Sequence, residues 1–162
     1  MIVAFTGHRP DKLGGWDPNN STALRVQQVL RDALAATPPL YGICGMALGV
    51  DTWAAEACAA LGVPFIAALP CDDMEAVWPR AAQLRYRALL ARAREVVTVA
   101  PGPYRPWKMQ RRNVWMVDHC THLWAVHDGS RGGTYNCLTY AVSAGREVVQ
   151  LPWQAAQSTA AP

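Results

Sequence analysis

The sequence predicts an α/β fold, a mostly parallel sheet with helices on both faces. Two observations carry this. Strand-sized apolar runs alternate along the chain with segments whose apolar residues recur at helical spacing, the pattern of repeated strand–helix–strand units. Several of those runs also open at their carboxyl ends into Gly-bearing loops: AFTGHRP from Ala4 to Pro10, GICGMALGVDTWAAEAC from Gly42 to Cys58, and HLWAVHDGSRGGT from His122 to Thr134. In parallel sheets the carboxyl ends of the strands are where ligands bind.

Taken in order, Ile2 to Thr6 is a first strand closed by Gly7. Asp11 to Asn20 is loop by its Gly, Pro and Asn content. Ser21 caps a helix to about Ala36, with Leu24, Val26, Val29, Leu30 and Leu34 as its apolar stripe and Pro38-Pro39 as its stop. Leu40 to Cys44 is a second strand. Asp51 or Thr52 starts a helix that ends before Gly62, and Val63 to Leu69 is a third strand. Pro79 begins an Arg-rich helix to about Ala93, followed by a strand from Glu95 to Val99 and a loop from Pro101 to Trp107. A helix from about Lys108 to Cys120 leads to the strand His122 to Val126. Gly133 or Thr134 opens a helix to Ala144, and Glu147 to Leu151 closes the sheet.

The 162 residues suit one domain. It is expected over 1–153, with 154–162 a frayed tail lacking apolar periodicity. With 51% hydrophobic and 17% charged residues the chain is globular, not disordered. A net charge of +3 is too weak to imply nucleic-acid binding. The apolar runs are broken by Pro or Gly at strand length, so no membrane span is expected. The N-terminus MIVAFTGHRP reads as a core strand, not a signal peptide. The five cysteines form no C-x-x-C pair and read as buried free thiols in a reducing cytoplasm. Asp118, His119, Cys120, His122 and His127 match no zinc spacing, so no metal is expected there.

A Gly-rich turn before a helix presents backbone N–H groups and a positive helix end to an anion. Such loops on one small α/β chain point to a phosphate-bearing, nucleotide-sized ligand without naming it. No other cofactor is implied.

TGHRP after the first strand, GMALGVDTWAAEA after the second, CDDMEAVWP and RY after the third, then RNVWMVD and GGT run in the order found in the SLOG superfamily. Over Ile2 to Val149 the chain resembles its DUF1273/YpsA-like branch, which is related to the LOG phosphoribohydrolases and the DprA/SMF DNA-processing proteins. The resemblance implies a Rossmann-like fold and a site for a nucleotide or nucleotide-derived ligand. That site would comprise Gly7, His8 and Arg9, then Gly45, Gly49 and Asp51, and lastly Gly129, Gly132, Gly133 and Thr134. Arg112, Asn113 and Met116 answer the R-K-x-x-M of LOG enzymes. Those enzymes continue P-G-G-x-G-T-x-x-E, with a catalytic Glu; here the turn is longer and Cys137 stands at the Glu position. Cysteine is a poor acid or base for N-glycosidic cleavage, so LOG-type hydrolysis is not expected; Asp51, Glu56, Asp118 and Asp128 stand as carboxylates for a different chemistry, and catalytic residues are left unassigned.

Each candidate has a plainer role beside the functional one. Arg9, after TGH at a strand end, is read as a ligand contact over a surface ion pair. His8 is read as a hydrogen-bonding loop residue over an acid–base group. Asp51 suits a ribose hydroxyl or a helix N-cap equally. Arg111 and Arg112 point about 100° apart, and Arg112 is preferred for the phosphate. Asn113 orients a ligand or satisfies loop carbonyls. Arg80, Arg85, Arg87, Arg92 and Arg94 fit the solvated face of an amphipathic helix, which argues against nucleic acid as a partner. Trp16, Trp78 and Trp107 lie in loop-like segments and suit base stacking or a subunit interface, with Trp78 favoured by family position.

The leading expectation is therefore a cytoplasmic module that binds, senses or sequesters a nucleotide-derived metabolite and forms a homodimer or higher homo-oligomer. The alternatives are a nucleotide hydrolase acting on a glycosidic or phosphate bond, and a DprA-like DNA-binding protein.

Overall fold

A computed structural model describes residues 1–154, so all but the first residue of the expected tail lies outside the described residues. The elements in chain order are β1 (Ile2–Gly7), α1 (Ser21–Ala36), β2 (Tyr41–Cys44), α2 (Val50–Leu61), β3 (Phe65–Leu69), α3 (Arg80–Arg92), β4 (Glu95–Thr98), α4 (Pro106–Asp118), β5 (His122–Val126), α5 (Gly133–Ser143) and β6 (Glu147–Gln150). All strands pair in parallel, in the order β4-β3-β2-β1-β5-β6. The Rossmann-like α/β architecture predicted from the sequence is the one observed.

Side chains alternate across the sheet as the pleat requires. Val3 and Phe5 of β1 join a core with α1, α2 and α3, through Val26, Leu30, Leu34, Trp53, Cys58, Tyr86 and Leu89. Ala4 points the other way, to Met116, Val117, Cys137 and Ala141 of α4 and α5. The helices thus divide three and two between the faces. The chain moves outward from β1 to β4, then crosses back to place β5 on the other side of β1. That reversal opens a crevice above the carboxyl ends of β1 and β5, where two successive connections leave in opposite directions.

Several boundaries differ from the predicted ones. α4 begins at Pro106, two residues earlier than predicted, because Arg105 is extended and Pro at the first helical position is already set for helix. α2 begins at Val50, with Gly49 at φ +98° in the capping position, so Asp51 is not the cap. β3 starts at Phe65 because Pro64 has no N–H for the ladder; its carbonyl accepts from Gly42 instead. Short 3-10 turns at Pro10–Lys12 and Met74–Val77 fall within segments expected to be irregular. All five cysteines are free and buried. No helix among the described residues is long and apolar enough to cross a membrane.

Candidate functional site

The crevice at the strand reversal contains a cavity of about 330 Å³. β1 brings Thr6 and Gly7 to its floor, and the loop beyond supplies His8, Arg9, Asp11 and Lys12. Ala47 and Asp51 enter from the connection into α2, and Met109, Arg112 and Asn113 from α4. Ser130 to Thr134 close the remaining side, where the turn after β5 runs into α5. Chain segments far apart in sequence meet here because β1 and β5 are neighbours in the sheet.

The turn before α5 is built for open backbone. Gly129 and Gly132 have φ of +90° and +153°, and a Cβ placed on Gly129, Gly132 or Gly133 would meet nothing within 4 Å. Gly132 occupies the helix cap without any side-chain capping bond, so the first N–H groups of α5 face the cavity with no side-chain acceptor. Arg9 and Arg131 are exposed at its rim. The Lys12 ammonium donates to Ser130 Oγ at 2.9 Å, tying the loop after β1 to this turn.

His8 and His127 hold the same turn from below. The Asp128 N–H donates to His8 Nε2 at 3.1 Å, and Asp128 Oδ1 lies 2.8 Å from that nitrogen. Burial lowers the His8 pKa, and the Asp128 carboxylate opposes that shift. Asp128 itself is held well below the usual carboxylate range, first by the hydrogen bonds from Ser130 and then by His8. His127 Nδ1 accepts the Gly129 N–H at 3.1 Å, which leaves the proton on Nε2, 2.7 Å from the Ser130 carbonyl. His8, His127 and Asp128 are close enough to surround an ion. Both ring nitrogens of His127 are already engaged with the loop backbone, so the trio organises the turn rather than offering a free ligand set. The residues weighed for a metal from sequence separate: His119 stacks on Trp115 at 4.1 Å, and His122 lies 3.0 Å from Glu147.

Arg112 is buried at the back of the cavity. Its Nη1 donates to the Gly45 carbonyl and lies 3.6 Å from Asp51 Oδ2, while its Nε donates to Asn113 Oδ1 at 2.9 Å. Asp51 also accepts the Ala47 N–H at 3.3 Å. Burial lowers the Arg112 pKa and raises that of Asp51, and each charge opposes the shift of the other. Of the two roles weighed for Asp51 from sequence, the N-cap is overturned, since Gly49 holds that position; its carboxylate reaches back to the turn and to Arg112 at the cavity wall. Arg111 points outward over the Trp107 ring at 5.9 Å.

Of the residues picked out from sequence, Gly7, His8, Arg9, Asp51, Arg112, Asn113, Gly132, Gly133 and Thr134 share the cavity wall. Gly45 and Gly49 sit behind it, under Arg112 and against the His8 carbonyl. Gly129 serves the turn's backbone without lining the cavity, and Trp78 lies in an adjoining compartment. Asp11, Lys12, Ser130 and Arg131 were not singled out. Arg131 lies inside the Gly turn and Lys12 follows TGHRP closely, so position beside a loop was the signal available for both.

Cys137 is buried beneath the turn, and burial pushes its thiol up to about 11. Three arginines of α3 are engaged by nearby groups: Arg85 with Glu56 at 2.6 Å, Arg87 with Glu75 at 3.6 Å, and Arg92 with the Ala59 carbonyl at 2.7 Å.

A family model described as the YspA SLOG family matches residues 3–156. The chain belongs to that family. Among curated relatives, the SPbeta prophage-derived protein YoqJ of Bacillus subtilis is 38% identical over 87 residues, covering 47% of this chain and 51% of YoqJ. The UPF0398 protein YpsA of the same organism is 24% identical over 142 residues, covering 82% of this chain and 79% of YpsA. The chain thus aligns with about half the length of the first relative and most of the second. Among solved structures, DNA processing protein A of Streptococcus pneumoniae superposes with a TM-score of 0.69 at 21% identity, over 98% of this chain and 52% of that one. The molybdenum cofactor carrier protein of Chlamydomonas reinhardtii gives 0.56 at 17% identity, over 92% and 74%. At these identities the structural matches establish a shared fold for this SLOG chain.

Proposed function

We propose that this SLOG domain binds a nucleotide or nucleotide-derived metabolite, with a phosphate against Gly132–Thr134 at the start of α5, and that it senses, carries or sequesters that ligand in the cytoplasm. The observation that carries the reading is the open Gly turn facing the strand-reversal cavity, with Arg9, Lys12 and Arg131 around it. Unobstructed N–H groups, a helix N-terminus and basic side chains together favour an anion. The carrier named among the structural neighbours lends support to carriage. The same reading has the domain self-associate, with Trp107, exposed outside both cavities, as apolar surface that a second copy would cover.

The test is calorimetry against mono- and dinucleotides, ADP-ribose and NAD included. Binding is expected, and silence across the panel at about millimolar concentration rejects the reading.

Turnover is not expected of the Cys137 position, where a protonated thiol is buried behind Thr6 and does not line the cavity. One observation favours the hydrolase alternative: His8, paired with Asp128 at 2.8 Å, lies on the cavity wall. Base or phosphate release followed by chromatography separates the two. Efficient release by the parent protein promotes the enzyme. Release below about one-hundredth of a general acid–base enzyme's rate retains the binding module.

A further inference from the structure

A second compartment of about 550 Å³ adjoins the polar cavity and shares Arg9, Ala47 and Met109 with it. Its wall is of different chemistry. Trp16, Met74, Val77, Trp78 and Tyr104 dominate it, and Arg9 and Asp73 are its charged members. Three of these groups stand clear of the core, Val77 at 90% exposed, Trp16 at 63% and Tyr104 at 51%, while Met74 and Trp78 pack against its edge. The Trp78 ring is nonetheless fixed. It packs edge-on against buried Tyr86 at 5.3 Å and 82°, and the Trp78 carbonyl accepts from Gln83 at 2.9 Å.

We propose that the two compartments hold opposite ends of one ligand: its phosphate at Gly132–Thr134, and a planar aromatic base against Trp78, Trp16 and Tyr104, with Arg9 above the link between them. The proposal rests on the phosphate reading above and extends it to the orientation of the ligand. Charge decides that orientation. Asp73 would repel a phosphate in the second compartment, whereas the aromatic walls favour a neutral flat group. A carboxylate on that wall also supplies an acceptor for an amino-bearing base. The shared lining of Arg9, Ala47 and Met109 sets the two compartments side by side, the adjacency that one ligand spanning both needs.

The test compares AMP with ribose 5-phosphate, by calorimetry, on the parent, Trp78→Ala, Tyr104→Ala and Gly133→Asp. AMP is expected to bind the parent about 5–150-fold more tightly than ribose 5-phosphate, the range for stacking one base. Trp78→Ala should erase most of that margin and leave ribose 5-phosphate unchanged. Tyr104→Ala, at an exposed position outside the core, should narrow it in the same way if Trp78→Ala misfolds. Gly133→Asp should remove both ligands. Equal affinity of the parent for AMP and ribose 5-phosphate overturns this inference and leaves the phosphate reading standing. So does a proportionate loss of both in the aromatic variants. Failure of both ligands to bind the parent overturns the two together.

Discussion

The Gly-rich turns before α2 and α5 put the same residue type to different uses. Before α2 the space is already occupied. A Cβ on Gly49 would lie 2.7 Å from the His8 carbonyl, and one on Gly45 would collide with the Arg112 guanidinium and lie 2.6 Å from Asp51 Oδ2. These glycines let the backbone pass close to the loop after β1 and to a side chain arriving from α4. Before α5 no protein atom lies within 4 Å of such a Cβ at Gly129, Gly132 or Gly133. There the missing side chains leave room for something that is not protein. One turn serves packing, the other faces the cavity, and the difference can be broken by substitution.

The largest effect is expected where the turn is filled. Gly49→Ala combines a left-handed φ of +98° with a contact against backbone that cannot swing aside. It should cost about 3 kcal/mol or more, a fall in Tm of ~6–12 °C for a domain of this size. Thermal unfolding followed by circular dichroism checks it. A Tm within about 2 °C of the parent would mean that the turn before α2 has slack, and would erase the contrast between the turns.

The next effect falls on ligand rather than on folding. Gly133 has open space around it and is the first residue of α5. An aspartate there sits well with the helix dipole, worth about 0.3–1 kcal/mol, so Gly133→Asp should unfold at or slightly above the parent Tm. The same carboxylate stands where a phosphate would rest, and nucleotide affinity should drop at least ~10-fold by repulsion and exclusion. Stability and binding moving in opposite directions is the result that sharpens the comparison. A folded variant with parental affinity for a nucleotide bound by the parent would show that the anion sits elsewhere.

From the sequence alone the two turns look equivalent, and the reason is physical. What fills the first is the loop after β1, against Gly49, and Arg112, which arrives from a helix more than sixty residues away and donates to Gly45 across a separation of 67 positions. The fold was legible because parallel strands buried on both faces read as apolar runs and the helices between them keep their own period. Element limits slipped where a single proline decided them, as at Pro64 and Pro106. Arg112 was separable from Arg111 by helix geometry and the family motif. The His8–Asp128 pair was not legible, since its partners are 120 positions apart and meet only because β5 lies beside β1.

That pair supplies the smallest expected effect, a pH dependence that His8 brings to the open turn. Burial lowers the His8 pKa below its ordinary 6.5, so the unfolded chain takes up a proton more readily than the folded one. Between the lowered value and 6.5 the unfolded state therefore binds more protons, and stability rises with pH. On acidification from about pH 8 to about pH 5 the His8 contribution should be lost as pH falls through and below its unfolded value. Asp51 pulls the other way: its raised pKa makes the folded state the better proton acceptor above 3.8, so its contribution weakens as pH rises. The parent curve mixes the two. His8→Gln keeps a polar side chain at the turn and removes the titration, so the difference between the parent and variant curves isolates His8. The Tm gap should change steadily across that interval and stay flat above it. A gap that is constant at every pH would place the His8 ring in a setting that does not favour its neutral form, and the hydrogen bond from the Asp128 N–H to Nε2 would then not be what holds the turn open.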